Sequence, residues 1–124
     1  MKQFDAKRIT EVVERYMDAV YKGDIETLKS IFYGDAAMYG YIKEYGVMAT
    51  PQLFYDEITS KPTMEENHDL CEYVITHLQV EGNIASVCLQ VEGFYGDGTV
   101  IDMFHLMKIE GVWKITCKTF SQRA

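Results

Sequence analysis

The chain has 124 residues (14.3 kDa), which fits one domain spanning 1–124; two domains of half that size would each bury too little surface. With 48% hydrophobic, 25% charged and 13% aromatic residues it has the composition of a folded protein, which excludes bulk disorder. Twelve basic against nineteen acidic residues give a net charge of −7 and a pI near 4.9, a surface that repels phosphate backbones and anionic lipid, so neither nucleic acid nor a membrane is an expected partner.

Met1 to Asp5 holds no apolar signal core, and no stretch approaches the roughly 18 to 20 apolar residues of a membrane span, so a cytoplasmic protein is expected. Asp5 is a candidate N-cap for a first helix, in which Ile9, Val12, Val13, Tyr16, Met17 and Val20 recur at helical spacing up to a stop at Gly23. Asp24 caps a short second helix carrying Ile25, Leu28, Ile31 and Phe32, which Gly34 and Asp35 end. Ala36 to Tyr41 reads as a short strand. Thr50-Pro51 starts a third helix over 51–60, carrying Leu53, Phe54 and Ile58 and closed by Pro62. From residue 70 onward the pattern is four strands joined by turns at Gly82-Asn83, Gly96-Asp97-Gly98 and Glu110-Gly111. Helices followed by an antiparallel meander make an α+β protein.

Strand registers show which residues share a face. A two-residue loop at 82–83 pairs Val80 with Ala85, Leu78 with Val87, Thr76 with Leu89 and Val74 with Val91, an aliphatic face suited to cover the helices. The opposite face carries Tyr73, Ile75, His77, Gln79, Ser86, Cys88, Gln90 and Glu92, a mixture that suggests a subunit interface. A four-residue turn over 96–99 sets Tyr95 opposite Val100. It places Val100, Asp102, Phe104 and Leu106 on the aliphatic face, joined by Trp113, Ile115 and Cys117. A three-residue turn would instead bring Ile101, Met103, His105 and Met107 inward. On the first register Asp102 lies among apolar side chains, where a carboxylate is costly unless paired or protonated.

Cys71, Cys88 and Cys117 cannot all pair within one chain, form no C-x-x-C and read as small buried hydrophobes. His68, His77 and His105 have no zinc-ligand spacing, so no metal is expected. Glu65, Glu66 and Asp69 read as a solvated acidic cluster. No phosphate loop, nucleophile elbow or other cofactor signature is present, so no cofactor is expected.

Val12-Val13-Glu14-Arg15-Tyr16 before Gly23-Asp24, then Asp35-Ala36-Ala37 and Thr50-Pro51, resemble the nuclear transport factor 2-like superfamily, of cystatin-like α+β cone fold. The C-terminal runs Asp102 to Leu106 and Lys108 to Ile115 are similar to its putative lumazine-binding branch. The resemblance implies three N-terminal helices packed in the concave face of a strongly curved antiparallel sheet. It also implies a pocket at the open end and a homodimer through the exposed sheet face. A more distant similarity is to ketosteroid isomerase, which keeps an aspartate neutral in an apolar site to donate a hydrogen bond. Tyr16, in Val-Val-x-Arg-Tyr, and Asp102, in Ile-Asp-x-Phe, match its oxyanion pair, which implies Asp102 and Tyr16 as catalytic residues and favours the four-residue turn. Its catalytic base falls on Gly40 here, and its supporting tyrosine near Glu57 or Tyr55.

The expected function is therefore that of a small-molecule-binding homodimer. Its apolar pocket is formed by Tyr16, Tyr39, Tyr41, Phe54, Tyr55, Asp102, Phe104 and Trp113, and its ligand is small and hydrophobic. One alternative is an isomerase or dehydratase of a hydrophobic carbonyl or cyclic substrate, with Tyr16 and Asp102 as the oxyanion pair and a base from Glu44, Glu57 or His68. A further alternative is a non-catalytic interaction protein using the exposed sheet face.

Overall fold

The computed structural model describes residues 2–123, with side chains from residue 4 onward. Its elements in chain order are α1 (Lys2–Lys22), α2 (Ile25–Ile31), β1 (Phe32–Ile42), β2 (Tyr45–Ala49), α3 (Pro51–Thr59), α4 (Met64–Asn67), β3 (Glu72–Glu81), β4 (Ile84–Phe94), β5 (Gly98–Ile109) and β6 (Val112–Arg123). The six strands form one curved, open sheet in the order β2-β1-β6-β5-β4-β3. The sheet is mixed, because β1 returns from the helices and lies parallel to β6 while every other pairing is antiparallel. No helix is long and apolar enough to cross a membrane among the described residues.

Ile9, Val12, Val13, Tyr16, Met17 and Val20 form the buried stripe of α1. The helix begins before Asp5, so this carboxylate lies in the first turn instead of capping it. Gly23 closes α1 at φ 69°, and a Cβ there would lie 2.6 Å from the Thr63 methyl group. Asp24 caps α2 by accepting from the Thr27 amide (3.2 Å) and hydroxyl (2.6 Å). The chain then turns extended at Phe32, so Gly34 and Asp35 belong to β1 and do not end the helix. Pro51 starts α3 at the first helical position. Two elements escape the sequence pattern. β2 is short and largely exposed, and α4 is a single turn held by a capping box between Thr63 and Glu66. Glu66 of the acidic cluster is thus a cap, and Asp69 is half-buried with Oδ2 enclosed, so of the three only Glu65 is simply a solvated carboxylate.

The concave face of the sheet meets the helices through Val87, Leu89, Phe104, Leu106 and Ile115, all essentially without exposure. Bulges set which residues point there. Val80 pairs with Ala85 and Leu78 with Val87, but an extra residue at Thr76 makes Ile75 and Tyr73 the partners of Leu89 and Val91. The β4–β5 connection is Tyr95 to Asp97, and Val100 pairs with Val91 instead of Tyr95. A bulge at Gly93 (φ 79°) offsets the odd loop length, so Val100, Asp102, Phe104 and Leu106 still face the helices. A third bulge places Thr116 between the Leu106–Ile115 and His105–Cys117 pairs. Beyond it the alternation changes phase: Lys118 points inward at 5% exposure, and Cys117 does not. In both Thr bulges the hydroxyl donates to a carbonyl of the adjoining strand, Thr76 to Cys88 (3.4 Å) and Thr116 to His105 (3.2 Å).

The convex face is bare in this single chain. Its rows run from Val74 through Gln90, Ile101 and Ser121 to Tyr41, and from His77 through Cys88, Met103 and Thr119 to Tyr39. Val74, Met103, Tyr39 and Tyr41 are each more than two-fifths exposed. The three cysteines are free and half-buried.

Candidate functional site

A cavity of about 330 Å³ opens between α1, α3 and the inner faces of β1, β4, β5 and β6. Its walls are mostly apolar, including Met17, Val20, Met38, Phe54, Val91 and Val100. Three buried polar groups share it: Tyr16 from α1, Asp102 from β5 and Lys118 from β6. The exposed residues Glu57, Lys61 and Asp97 frame the opening, where Lys61 pairs with Glu57 (3.3 Å) and lies over the Tyr95 ring (3.9 Å).

The helix period brings Tyr16 inward beside Val13 and Val20. Its ring meets Phe104 edge-on at 5.1 Å and stacks with Phe54 at 6.3 Å. Lys118 donates to the Tyr16 hydroxyl at 2.8 Å. Its Nζ lies 4.0 Å from the Phe54 ring centroid and 5.3 Å from those of Tyr16 and Phe120, positions suited to cation–π attraction. It stands 4.0 Å from Asp102 Oδ1, near enough for charge to act and too far for a hydrogen bond. Asp102 Oδ1 and the Tyr95 hydroxyl are both buried with no hydrogen-bond partner in the chain. Native proteins pair nearly all such atoms, so each exception calls for an explanation; a third, Asp69 Oδ2, does not line the cavity.

Burial governs the ionisation of this cluster. Desolvation raises the Asp102 carboxyl, and the Lys118 charge opposes it. Desolvation lowers the Lys118 amine, and Asp102 opposes that. Tyr16 is pushed well above the usual phenol range, first by burial and then by Asp102 and Tyr95, so it keeps its proton at neutral pH.

Of the residues singled out from sequence, Tyr16, Phe54 and Asp102 line the cavity. Phe104 and Tyr55 sit in the core, Phe104 beneath the Tyr16 ring and Tyr55 edge-on to Phe32 at 6.3 Å. Trp113 is buried elsewhere, with its indole N–H donating to Asp5 at 3.2 Å. Tyr39 and Tyr41 point out from the convex face. Among the proposed bases, Glu57 lines the cavity, Glu44 is an exposed turn residue and His68 is the exposed left-handed cap of α4 (φ 56°). Gly40 lies against Phe120, and a Cβ there would fall 2.2 Å from the Phe120 carbonyl oxygen and 2.6 Å from its ring. No side chain, acidic or otherwise, fits at that position without moving β6. Lys118 and Tyr95 are the site residues that sequence reasoning missed. The Thr116 bulge hides the first, and the shortened β4–β5 turn hides the second.

The family described as putative lumazine-binding matches residues 4–121. The chain belongs to that family. No curated protein matches it. Among solved structures, a nuclear transport factor 2-like protein of unknown function from Methylobacillus flagellatus KT is 27% identical, over 97% of this chain and 93% of that one, with a TM-score of 0.84. A second of unknown function, from Silicibacter pomeroyi DSS-3, is 22% identical over 99% of both chains, with a TM-score of 0.88. A ketosteroid isomerase-like protein from Erwinia carotovora atroseptica SCRI1043 is 16% identical over 97% of both chains, with a TM-score of 0.73. The putative lumazine-binding family thus shares the cone fold of the nuclear transport factor 2-like proteins.

Proposed function

We propose that this protein binds a small, largely apolar molecule in the cavity, with a polar oxygen of the ligand reaching the Tyr16–Asp102–Lys118 cluster. The observation that carries this reading is the pair of buried, unpartnered atoms, Asp102 Oδ1 and the Tyr95 hydroxyl, in an apolar cavity large enough for a ring compound. The family description adds a flat heterocycle with ring carbonyls as a candidate class. The test is titration with lumazine and with riboflavin, read by ligand fluorescence and by thermal shift. Saturable binding that Asp102→Asn weakens would support the reading; absence of binding by both ring systems, with native mass spectrometry showing no co-purified small molecule, would overturn it.

A second reading has a specific support. Tyr16 and Asp102 line the same cavity as Glu57, so an isomerase or dehydratase would have an oxyanion donor pair and a base in one place. Lys118 already engages the Tyr16 hydroxyl, and an isomerase would need that hydroxyl turned to substrate. Unchanged turnover of an identified substrate by Asp102→Asn would remove this reading. The homodimer belongs to the proposal too: the exposed Tyr39, Tyr41, Met103 and Val74 on the convex face suit a second copy of the chain.

A further inference from the structure

Lys118 is the least expected group in the molecule. Its amine is almost fully enclosed, yet it closes no hydrogen-bonded ion pair: its partners are a neutral phenol at 2.8 Å, three aromatic rings, and a carboxyl oxygen at 4.0 Å. Other lysines of this chain are tied to partners. Lys108 binds Asp5 at 3.1 Å, Lys22 binds Asp18 at 3.2 Å and Lys61 binds Glu57 at 3.3 Å. Lys118 alone among these pairs has its side chain on the cavity wall with both ends of the pair buried.

We propose that Lys118 is a nucleophilic amine that captures an apolar aldehyde or ketone in the cavity as an imine. This rests on the binding reading above and deepens it by naming the ligand's reactive group. A lysine in an apolar pocket is activated because burial favours the uncharged amine, and each unit of lowering yields about ten times more free amine at neutral pH. Burial lowers the Lys118 amine in this way, with the nearby Asp102 carboxyl acting against it.

The step balances without any other reagent. The Nζ lone pair attacks the carbonyl carbon, a C–N bond forms, and the carbonyl π pair moves to oxygen, which takes a proton. The resulting carbinolamine loses that oxygen as water together with both hydrogens of the original NH₂ group, leaving C=N. Tyr16 is placed to deliver a proton to the developing alkoxide and to recover one from nitrogen, since its hydroxyl is 2.8 Å from Nζ and burial keeps it protonated. The rings of Phe54 and Phe120 keep the surroundings apolar, which disfavours hydrolysis.

The test is incubation of the full chain with 2-naphthaldehyde and sodium cyanoborohydride at neutral pH, followed by intact-mass measurement and peptide mapping. The same rings and carbonyl in 2-naphthamide, which forms no imine, are followed by thermal shift. The expected result is a single stable adduct on Lys118, forming at least about tenfold faster than on any exposed lysine, with the N-terminal amine scored separately. Lys118→Met should lose the adduct, and Tyr16→Phe should slow its formation on Lys118 without changing the slow labelling of exposed lysines. Should Lys118→Met fail to fold, the distribution of label on the unaltered chain decides by itself. Labelling that merely follows exposure across the lysines would overturn the imine. If 2-naphthamide binds while Lys118 stays unlabelled, the imine falls and the binding reading stands; if neither compound engages the cavity, both lose their support.

Discussion

Between α1 and the concave face of the sheet, an acid, a lysine and an aromatic residue come together twice. At one end Asp5, Lys108 and Trp113 meet; at the other, Asp102, Lys118 and Tyr16. In the first set the carboxylate is the hub. Asp5 accepts from the Trp113 indole at 3.2 Å and from Lys108 at 3.1 Å, and those two hydrogen bonds, the indole's first, hold it below the usual carboxylate range. In the second set the lysine is the hub. It donates to Tyr16, while Asp102 is left without a hydrogen bond and is raised by burial. Similar ingredients make a clasp where the acid is satisfied and a buried cluster with an unpartnered carboxyl oxygen where it is not. What separates the two is whether the ionised form finds its partners inside the fold.

The largest expected effect comes from breaking the clasp. Trp113→Ala removes a buried indole and one donor to Asp5, and should cost about 3–5 kcal/mol, measured by urea denaturation. The other end should respond in the opposite sense. Replacing Asp102 and Lys118 together by Leu and Met fills the site with apolar atoms and should leave stability unchanged or raise it by about 1–4 kcal/mol, while abolishing ligand binding. A loss comparable to that of Trp113→Ala would mean that the two ends are the same kind of structure after all.

Acid titration sharpens the contrast. The folded-state value of Asp5 is lowered, so its contribution is present above the ordinary carboxylate range and disappears as pH falls through the folded value. The folded-state value of Asp102 is raised, so its contribution is full at low pH and is lost as pH climbs from the ordinary range through the raised one. Asp5→Asn should therefore flatten the acid limb of the stability profile, and Asp102→Asn should flatten the limb on its alkaline side. The smallest change concerns neither end. Met103→Glu on the convex face should alter folding stability by no more than about 0.5 kcal/mol, yet halve the mass seen by light scattering if the convex face joins two copies.

Much of this arrangement is legible in the chain. Helical spacing places Tyr16 on the buried face, and strand alternation places Asp102 among aliphatic residues, because both periods are fixed by backbone geometry. The parallel pairing of β1 with β6 is not legible, since no local signal reports which strand a distant segment will join. Nor is Lys118. A regular strand through Trp113 and Ile115 brings Cys117 inward, and the extra residue at Thr116 is what replaces a thiol by an amine. The β4–β5 connection shows the converse. Two irregularities, a short loop and a bulge at Gly93, cancel, so the face assignment is right although the register is displaced. Tyr39 and Tyr41 show that aromatic character alone does not distinguish a cavity wall from an exposed face.

The bulge at Thr116 also bears on how related chains are to be lined up. Because Thr116 is supernumerary to the pairing, its deletion would leave Trp113, Ile115, Lys118 and Phe120 with their present orientations in a strand one residue shorter. A relative lacking one residue here can therefore carry the same inward set, and the alignment gap belongs at Thr116. Placed two positions later, it would erase the lysine from the comparison while the protein itself had lost nothing but a spare threonine.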